Sequence, residues 1–263
     1  MSGFTSPPGR DRLTANRTYY VRADGSDANS GLANAAGAAF LTLQKAYDTI
    51  AAKLDLAGFT ATIQIGAVAT FTAGIAISQP WTGGGAVTID LGGATINSGA
   101  AGCLSNTVTL PGLVTIQNGT LTTSADGTLI NNQGPGVIKV GAGITFGSAG
   151  AADHISARGA GASIQCSANY TITGGARYHL LTQGPAQITA ANVTVTLTGT
   201  PAFSSAFAGT QGGQINAYGN TYTGAATGVR YSADRLGLID ARGGATYLPG
   251  ATAGTQTNSG LYV

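Results

Sequence analysis

The sequence predicts an all-β chain that folds as one single-stranded right-handed parallel β-helix of about eight coils, with a short N-terminal capping α-helix. Two observations lead to this fold class. An aliphatic residue recurs at nearly constant intervals along most of the chain, and glycine is abundant while charge is scarce. Of 263 residues, 42 are glycine and only 8% are charged, yet a hydrophobic content of 43% is too high for a disordered chain.

The repeat is carried by one aliphatic residue, which we term the anchor, in each of eight short segments. The anchors are Ile65, Ile89, Ile116, Val140, Ile164, Ile188, Ile215 and Ile239. Most intervals between them are about 24 residues and two are slightly longer, a period typical of solenoid proteins. Residues directly beside each anchor are mostly polar and those two positions away are mostly apolar or small, which is typical of a strand with one buried face. One coil cannot bury its own apolar row, so the repeat predicts stacked coils.

Each anchor segment is followed by a predicted corner and two further short strands. Pairs such as Gly92-Gly93 and Asn118-Gly119 tolerate the left-handed backbone that a sharp corner needs. A second strand follows at Thr120-Leu121, for example, and a third near Leu129-Ile130. Three strands and three corners in each repeat describe a three-sided coil.

A segment before the repeats has helical rather than strand periodicity. Residues 40–57 place their apolar side chains on one helical face, which would cover the exposed end of the first coil. This face consists of Leu43, Ala46, Tyr47, Ile50 and Leu54. We therefore assign residues 1–35 to an N-terminal arm and lead-in segment, residues 36–60 to a capping helix, and residues 61–263 to the β-helix with its C-terminal tip.

Composition and charge argue against several classes of partner. The formal net charge is +2 and the basic residues are scattered, so we do not expect nucleic acid to bind. No stretch is long and apolar enough for membrane insertion, and the N-terminus lacks the apolar core of a signal peptide. The predicted register places Cys103 and Cys166 three coils apart, so we expect both thiols to stay reduced.

The segment from Tyr20 to Ala46 resembles the N-terminal motif of pectate-lyase-like β-helix proteins. The matching residues are Tyr20, Val21, Gly25, Asp27, Asn29, Gly31, Phe40, Thr42, Leu43 and Ala46. The family pattern usually has proline before its phenylalanine, where this chain has Ala39. With the Gly-Gly-Ala-Thr-Tyr-Leu-Pro-Gly segment at 243–250, the whole chain resembles the tail-fibre, tailspike and head-spike proteins of phages and gene-transfer particles.

This resemblance implies a function that periodicity alone does not. It implies a homotrimer located in the virion and assembled in the host cytoplasm. The N-terminal arm would attach to other virion proteins, and the rod or its C-terminal tip would bind a host receptor or surface polysaccharide. The first hypothesis is therefore a structural or adhesive virion protein. The alternative is a polysaccharide depolymerase, a glycosidase or lyase, with an active site between subunits.

Carboxylates are too few and too scattered to predict an active site within one chain. Hydrolysis of a glycosidic bond usually needs two carboxylates within about 5 to 10 Å of each other. The chain has no glutamate and ten aspartates. Asp90 and Asp240 occupy equivalent outward positions but lie six coils apart, whereas Asp126 and Asp153 lie one coil apart at different offsets. That second pairing is open, and we assign no catalytic residue.

The features of a lyase site are also missing from the predicted main sheet. A lyase would need a basic residue beside a cluster of calcium-binding carboxylates. Lys139 is the one lysine on this sheet, and the anchor register gives it Thr115 and Ser163 as neighbours. We therefore predict no lyase site there.

One group of candidate binding residues lies in the middle of the chain. Asp153 and Arg177 have the same offset from their anchors and should stack across adjacent coils, with His154, Tyr178 and His179 beside them. The group could form a polar patch for a sugar or a partner subunit. The interpretation we favour is an ion pair between coils with flanking histidines. Two histidines without a further ligand make a poor metal site.

A second group consists of aromatic residues late in the chain. Candidates for glycan or subunit contact are Tyr218, Tyr222, Tyr231 and Tyr247, with Tyr262 nearby. Tyrosine combines a flat ring with a polar hydroxyl, which suits both contacts. Tyr222 and Tyr247 fall on the second strand of consecutive coils, so we expect them to stack.

The sequence favours neither a calcium site nor an ice-binding surface. Asp24, Asp27 and Asn29 form an oxygen-rich loop that could bind calcium, but Asx turns explain it equally well, so we predict no metal and no cofactor. An ice-binding β-helix would need a regular threonine ladder on one flat face. The rows beside the anchors mix Gln, Lys, Gly, Ser and Leu, so we expect no such function.

Overall fold

A computed structural model describes residues 9–263, which form a parallel β-solenoid of about eight turns with about 26 residues in each turn. The predicted fold class is thereby confirmed, and the turns are slightly longer than most of the anchor intervals suggest. Residues 1–8 of the predicted arm lie outside the described residues.

Three parallel sheets form the sides of the solenoid, and every pair of neighbouring strands is parallel. Sheet 1 has ten strands and contains all the anchor residues. In spatial order they are Arg17–Val21, Thr60–Ile65, Ala86–Asp90, Val114–Gln117, Gly136–Val140, Ala162–Cys166, Gln187–Thr189, Gln214–Asn216, Leu238–Asp240 and Leu261–Tyr262.

Sheets 2 and 3 correspond to the predicted second and third strands of each coil. Sheet 2 has seven strands: Thr70–Phe71, Thr95–Ser98, Gly119–Thr123, Ile144–Phe146, Tyr170–Ile172, Thr194–Leu197 and Thr221–Thr223. Sheet 3 has nine strands: Ile75–Ile77, Leu104–Asn106, Ile130–Asn132, Ile155–Arg158, Ala176–Gln183, Ala202–Gln211, Thr227–Gly228, Tyr231–Asp234 and Thr255–Gln256. A separate two-stranded sheet joins Asp11–Arg12 to Leu54–Asp55.

The anchor residues all lie inside the solenoid. None of the eight is more than 3% exposed, which confirms the predicted burial of this row. Sheets 2 and 3 contribute further aliphatic and aromatic side chains, such as Leu121, Phe146 and Phe207, to the same core. A single apolar core therefore runs along the length of the rod.

The anchor register is wrong at two of its seven steps. Ile89 pairs with Ile63 rather than Ile65, and Ile164 pairs with Ile138 rather than Val140. Each error is two residues, which keeps a side chain on the same face of its strand, so apolarity alone could not reveal it. As a consequence, Lys139 pairs with Gln165 and not with the expected Ser163.

Corners after sheet 1 use the left-handed backbone, as predicted. Gly93 has φ of 85° and Asn118 has φ of 59°. Asn192 makes an equivalent corner at φ of 58°. Glycine and asparagine adopt this conformation at low cost, which explains why they recur there.

The helix spans Leu43–Lys53 and is shorter than the assigned range of 36–60. Thr42 is its N-cap, and the Thr42 side chain accepts a hydrogen bond from the Lys45 amide at 3.1 Å. The predicted apolar face is buried throughout; its residues are Leu43, Ala46, Tyr47, Ile50 and Leu54. Within residues 9–263, no helix has the length and apolar character that crossing a membrane requires.

The N-terminal motif acts as a clasp between this helix and the first turn. Asp27 accepts hydrogen bonds from the amides of Leu41 and Thr42, both at 2.9 Å, and from the Thr42 hydroxyl at 2.8 Å. Phe40 is 2% exposed and covers Gly31, where φ is 75° and a Cβ atom would collide with the phenyl ring. The motif residues are thus needed for the geometry of this end of the rod.

The described part of the N-terminal arm is held against the helix. Arg10 donates to the carbonyl groups of Ala51 and Leu54, and Leu13 is buried. The strand Arg17–Val21 already belongs to sheet 1, so the sheet begins well before residue 61. Both cysteines are buried and free, as predicted.

Replacing Ile164 by Ala is expected to destabilise the solenoid by about 2 to 5 kcal/mol, because the deletion leaves a cavity in a fully buried column. The free energy of unfolding, obtained from denaturant titration, measures the effect. Thr115→Ala on the outer face of the same sheet is the control and should change it by less than about 0.5 kcal/mol. Equal losses of unfolding free energy in the two variants would contradict the position of Ile164 in the core and of Thr115 on the outer face.

Candidate functional site

The candidate residues fall into two separate places on the rod. Asp153, His154, Arg177, Tyr178 and His179 lie on or beside the middle strands of sheet 3. The candidate tyrosines lie in the last turns, near the C-terminal tip.

Asp153 is the centre of a partly buried ion-pair cluster. Its carboxylate is fully buried and accepts from Arg177 through Nε at 3.0 Å and Nη2 at 2.9 Å. Arg158 adds a third contact at 3.3 Å. The predicted stacking of Asp153 and Arg177 is therefore confirmed, and such bidentate contacts are the stronger kind of ion pair. Arg177 also lies over the ring of Tyr178, with its guanidinium carbon 5.5 Å from the ring centre.

The two histidines lie in the core and not on the surface. Both are fully buried, which corrects the expectation that they could flank an accessible patch. Simple strand alternation does not account for this, because His154 precedes its strand and each histidine is followed by another buried residue, Ile155 or Leu180. His179 also follows directly on a register irregularity between Ala176 and Tyr178. Neither imidazole can contact a glycan or a partner subunit from this position.

Inside the core the histidines form a short hydrogen-bonded chain. Nδ1 of His154 lies 3.1 Å from Nδ1 of His179, and the Tyr170 hydroxyl lies 2.9 Å from Nε2 of His179. Among the described residues, Nε2 of His154 has no hydrogen-bond partner. One ring must donate and the other accept at the Nδ1 contact, so the bond is lost if both rings are protonated.

Burial keeps both rings neutral. It lowers the pKa of His154 to about 4, while the backbone of Gly147 and Gly175 acts in the opposite direction. Burial, together with the neighbouring His154, lowers the pKa of His179 well below its usual value. The aromatic side chains that enclose the pair are Phe146, Tyr170, Phe203 and Phe207.

Arg158 and the aromatic side chains around the histidines were not predicted as members of this site. The spacing is misleading here, because Ser156 and Arg158 follow His154 at the strand period of two, yet His154 lies in the core and Arg158 does not. The sequence does not show that the histidines face the core, because polar residues give no apolar pattern from which the direction of a side chain can be predicted.

The tyrosines near the C-terminal tip form three contacts. Tyr222 and Tyr247 meet edge to face with ring centres 5.4 Å apart, so the rings are in contact but do not stack as expected. Tyr247 also lies outside sheet 2, whose last strand is Thr221–Thr223. Tyr231 is buried and stacks on Tyr262 at 3.8 Å, so its ring is not accessible to a ligand. Tyr218 lies under the guanidinium of Arg242, which is 4.1 Å from the ring centre.

Tyr222 and Tyr247 line a pocket of about 330 Å³ together with Arg230. The hydroxyl groups of both tyrosines are held by Asn220, which fixes the rings in place. The walls of the pocket combine aromatic rings with a cation, and its volume lies at the small end of the range for ligand sites.

Arg230 was not predicted as a candidate, and it differs from the next two arginines in having no carboxylate partner among the described residues. In the part of the chain that the structure describes, its guanidinium has no carboxylate within 4.0 Å, and its Nε is shielded from solvent without a hydrogen-bond partner. Arg235 and Arg242, the next arginines, pair with Asp234 and Asp240. The positive charge in the pocket is therefore uncompensated.

The aspartates, the only carboxylates of the chain, are already engaged. All ten accept a hydrogen bond or form an ion pair within residues 9–263; they are Asp11, Asp24, Asp27, Asp48, Asp55, Asp90, Asp126, Asp153, Asp234 and Asp240. In the loop considered for calcium, Asp24 pairs with Arg22 and Asn29 donates to two backbone carbonyl groups. No cluster of three or more potential metal-ligating side chains occurs in residues 9–263.

Comparison with known proteins does not supply a family. No protein-family model matches the chain, and neither a curated protein nor a solved structure is significantly similar to it.

The buried histidines are expected to make the protein acid-sensitive. Their pKa values are lowered in the folded state, so the unfolded chain binds more protons between about pH 6.5 and pH 4, and stability is lost as the pH falls through that range. His154 alone should contribute about 2 to 3 kcal/mol of loss at pH 4.5 relative to pH 7, given its folded pKa of about 4. Denaturant unfolding at the two pH values measures this difference.

The chain has only two histidines, so a His154→Gln/His179→Gln variant removes all histidine titration. This variant should be less stable than the unmodified chain at pH 7, but its free energy of unfolding should fall much less on acidification. Ile116→Ala is the matched control, because it weakens the same core without removing a titrating group. The histidine assignment would be refuted by an unchanged pH dependence in the double variant.

Proposed function

We propose that this chain is a structural and adhesive protein of a phage particle, a trimeric fibre or spike attached through its N-terminal part. Two features support the proposal. The parallel β-solenoid suits a stiff projecting rod, because every turn is bonded to the next. The N-terminal motif, which resembles that of pectate-lyase-like β-helix proteins, forms an intact clasp at the first turn.

The observation that carries the adhesive part of the proposal is the tip pocket with Arg230, Tyr222 and Tyr247. Fixed tyrosine rings offer apolar faces or edges to a sugar ring, and their polar ends are already satisfied by Asn220. The unpaired guanidinium of Arg230 adds a preference for a negative group, because arginine binds carboxylates and phosphates through paired hydrogen bonds. The ligand we propose is therefore an acidic glycan of a host surface.

Polysaccharide cleavage is supported less well. A glycosidase needs a carboxylate free to act as acid, base or nucleophile. Each aspartate of the chain is engaged in an ion pair or hydrogen bond, and the carboxylate of Asp153 is fully buried between two arginines. A depolymerase site would have to be created between subunits.

Arg230→Gln should weaken binding of a uronic-acid oligosaccharide by about tenfold or more, because hydrogen bonds to a charged group contribute about 1.5 to 3 kcal/mol. Titration calorimetry with acidic oligosaccharides and their neutral, carboxyl-reduced forms measures the effect. Arg235→Gln, whose side chain is 70% exposed and lies outside the pocket, is the control. Equal affinity for acidic and neutral forms, or no effect of Arg230→Gln, would refute the pocket assignment.

The virion assignment has a separate test. The purified chain should have three times the monomer mass by light scattering, and an antibody against the rod should label particles from producing cells. Cryo-electron microscopy of those particles should show the first turn at the particle and the tip pocket pointing away. A monomer that is absent from purified particles would contradict the proposal.

A further inference from the structure

Sheet 2 carries a continuous ladder of threonines on its outer face. Each of its seven strands contributes one threonine, and six registered pairs join them in a single line. From one end of the sheet to the other they are Thr70, Thr95, Thr120, Thr145, Thr171, Thr196 and Thr223. We refer to this row and the two rows beside it as the threonine face.

The ladder points away from the core. In the first six strands, the residue after the ladder threonine is an aliphatic or aromatic residue that faces inward, such as Leu121, Phe146 or Ile172, and these three are fully buried. Strand alternation therefore turns the threonines outward, and all seven are exposed or half-exposed. This corrects the expectation that the chain has no threonine ladder, which rested on the rows beside the anchors in sheet 1.

The threonine face carries no charge. Positions two residues before and two residues after each ladder threonine contain only Thr, Asn, Gly, Ala and Val. The other two sides of the rod differ, because sheet 1 presents Lys139 and Asp90 and sheet 3 presents Arg158 and Asp234. The threonine face is thus the one side of the solenoid without charged side chains in these rows.

Most of the ladder hydroxyl groups are not used by the protein. Among the described residues, Thr70, Thr95, Thr120, Thr145 and Thr171 make no side-chain hydrogen bond, and one contact joins Thr223 to Thr196 at 3.3 Å. A ladder that served only to stabilise the sheet would be expected to form cross-strand hydroxyl contacts. These hydroxyl groups are instead free to bond outward.

The composition of the face also limits its partner. Protein interfaces are enriched in aromatic residues, arginine and methionine at their centre, and sugar sites use aromatic rings, but the outer rows of this face contain none of these. A shallow hollow of about 170 Å³ lies beside Thr145, Thr171 and Thr196, where polar hydroxyl groups can hold water. The chemistry fits an uncharged, extended, hydrogen-bonding partner.

We propose that the threonine face binds ordered water and, through it, the surface of ice. Adjacent strands repeat about every 4.8 Å along the rod, and alternate residues of a strand about every 6.6 Å across it, so the face is a two-dimensional array. Threonine is stiff about χ1, and the five inner strands of sheet 2 are bonded to a strand on each side, so the array is rigid. Hydroxyl groups can bond to lattice oxygens while methyl groups contact the spaces between them, and the neutral face matches an uncharged lattice.

Two measurements on the full chain test this function, which does not depend on the virion proposal. Thermal hysteresis reports inhibition of ice growth, and slow partial freezing reports the share of protein taken into the ice. The unmodified chain should produce hysteresis and become enriched in the ice. Thr145→Arg/Thr171→Arg, at registered half-exposed positions in the middle of the face, should lose both activities.

The matched control is Thr62→Arg/Thr88→Arg, which changes two registered, half-exposed threonines in sheet 1 and should retain both activities. Circular dichroism verifies the fold of each variant, and Thr145→Val/Thr171→Val removes the hydroxyl groups without adding bulk if the arginine pair does not fold. The valine pair should reduce the hysteresis. The proposal is overturned if the unmodified chain is excluded from ice, or if the sheet 1 and sheet 2 variants behave alike.

Discussion

Each turn of the solenoid can bury its apolar side chains only against the turns before and after it, and this requirement governs the whole structure. The inward side chains of a single turn are too few to bury one another, so a core forms only when turns stack and their strands pair in parallel. Once they do, every position becomes part of a column with one chemical environment. The inner columns hold the anchors, and the outer columns hold the threonine face and the charged sides. Side chains of the same kind that are far apart in the sequence are thereby aligned in columns along the rod.

The same requirement explains what could be predicted. The anchors and the helix face follow from strand and helix periodicity, because burial in both depends on spacing alone. The register errors at Ile63 and Ile138 arose where two apolar residues stand two positions apart and either could continue the column. The threonine ladder was missed for a related reason. Its members lie one turn apart at slightly unequal spacings in the second strand, where no anchor marks the register.

The candidate sites were less predictable because they depend on directions rather than spacings. The contact of Asp153 with Arg177 was predicted, although the equal offsets behind it were counted from Val140 and Ile164, which are not in register. The burial of His154 and His179 was not predicted. Polar side chains are tolerated inside a solenoid when they form hydrogen bonds with each other, as Asn106 and Asn132 do at 2.8 Å. Sequence alone offers no rule to separate such inner polar pairs from outer ones. Arg230 was overlooked because its distinguishing property is the absence of a partner, which only the folded chain reveals.

The unequal length of the turns has a practical consequence. Between sheets 2 and 3 the chain uses three residues from Ile172 to Ala176 but five from Leu197 to Phe203, although both ends of the two corners are in register. Length variation is absorbed at the corners, where a loop can lengthen at little entropic cost. Such corners are natural places to graft a foreign peptide. Copies inserted at successive corners would be displayed in a row at fixed spacing along one edge of the rod.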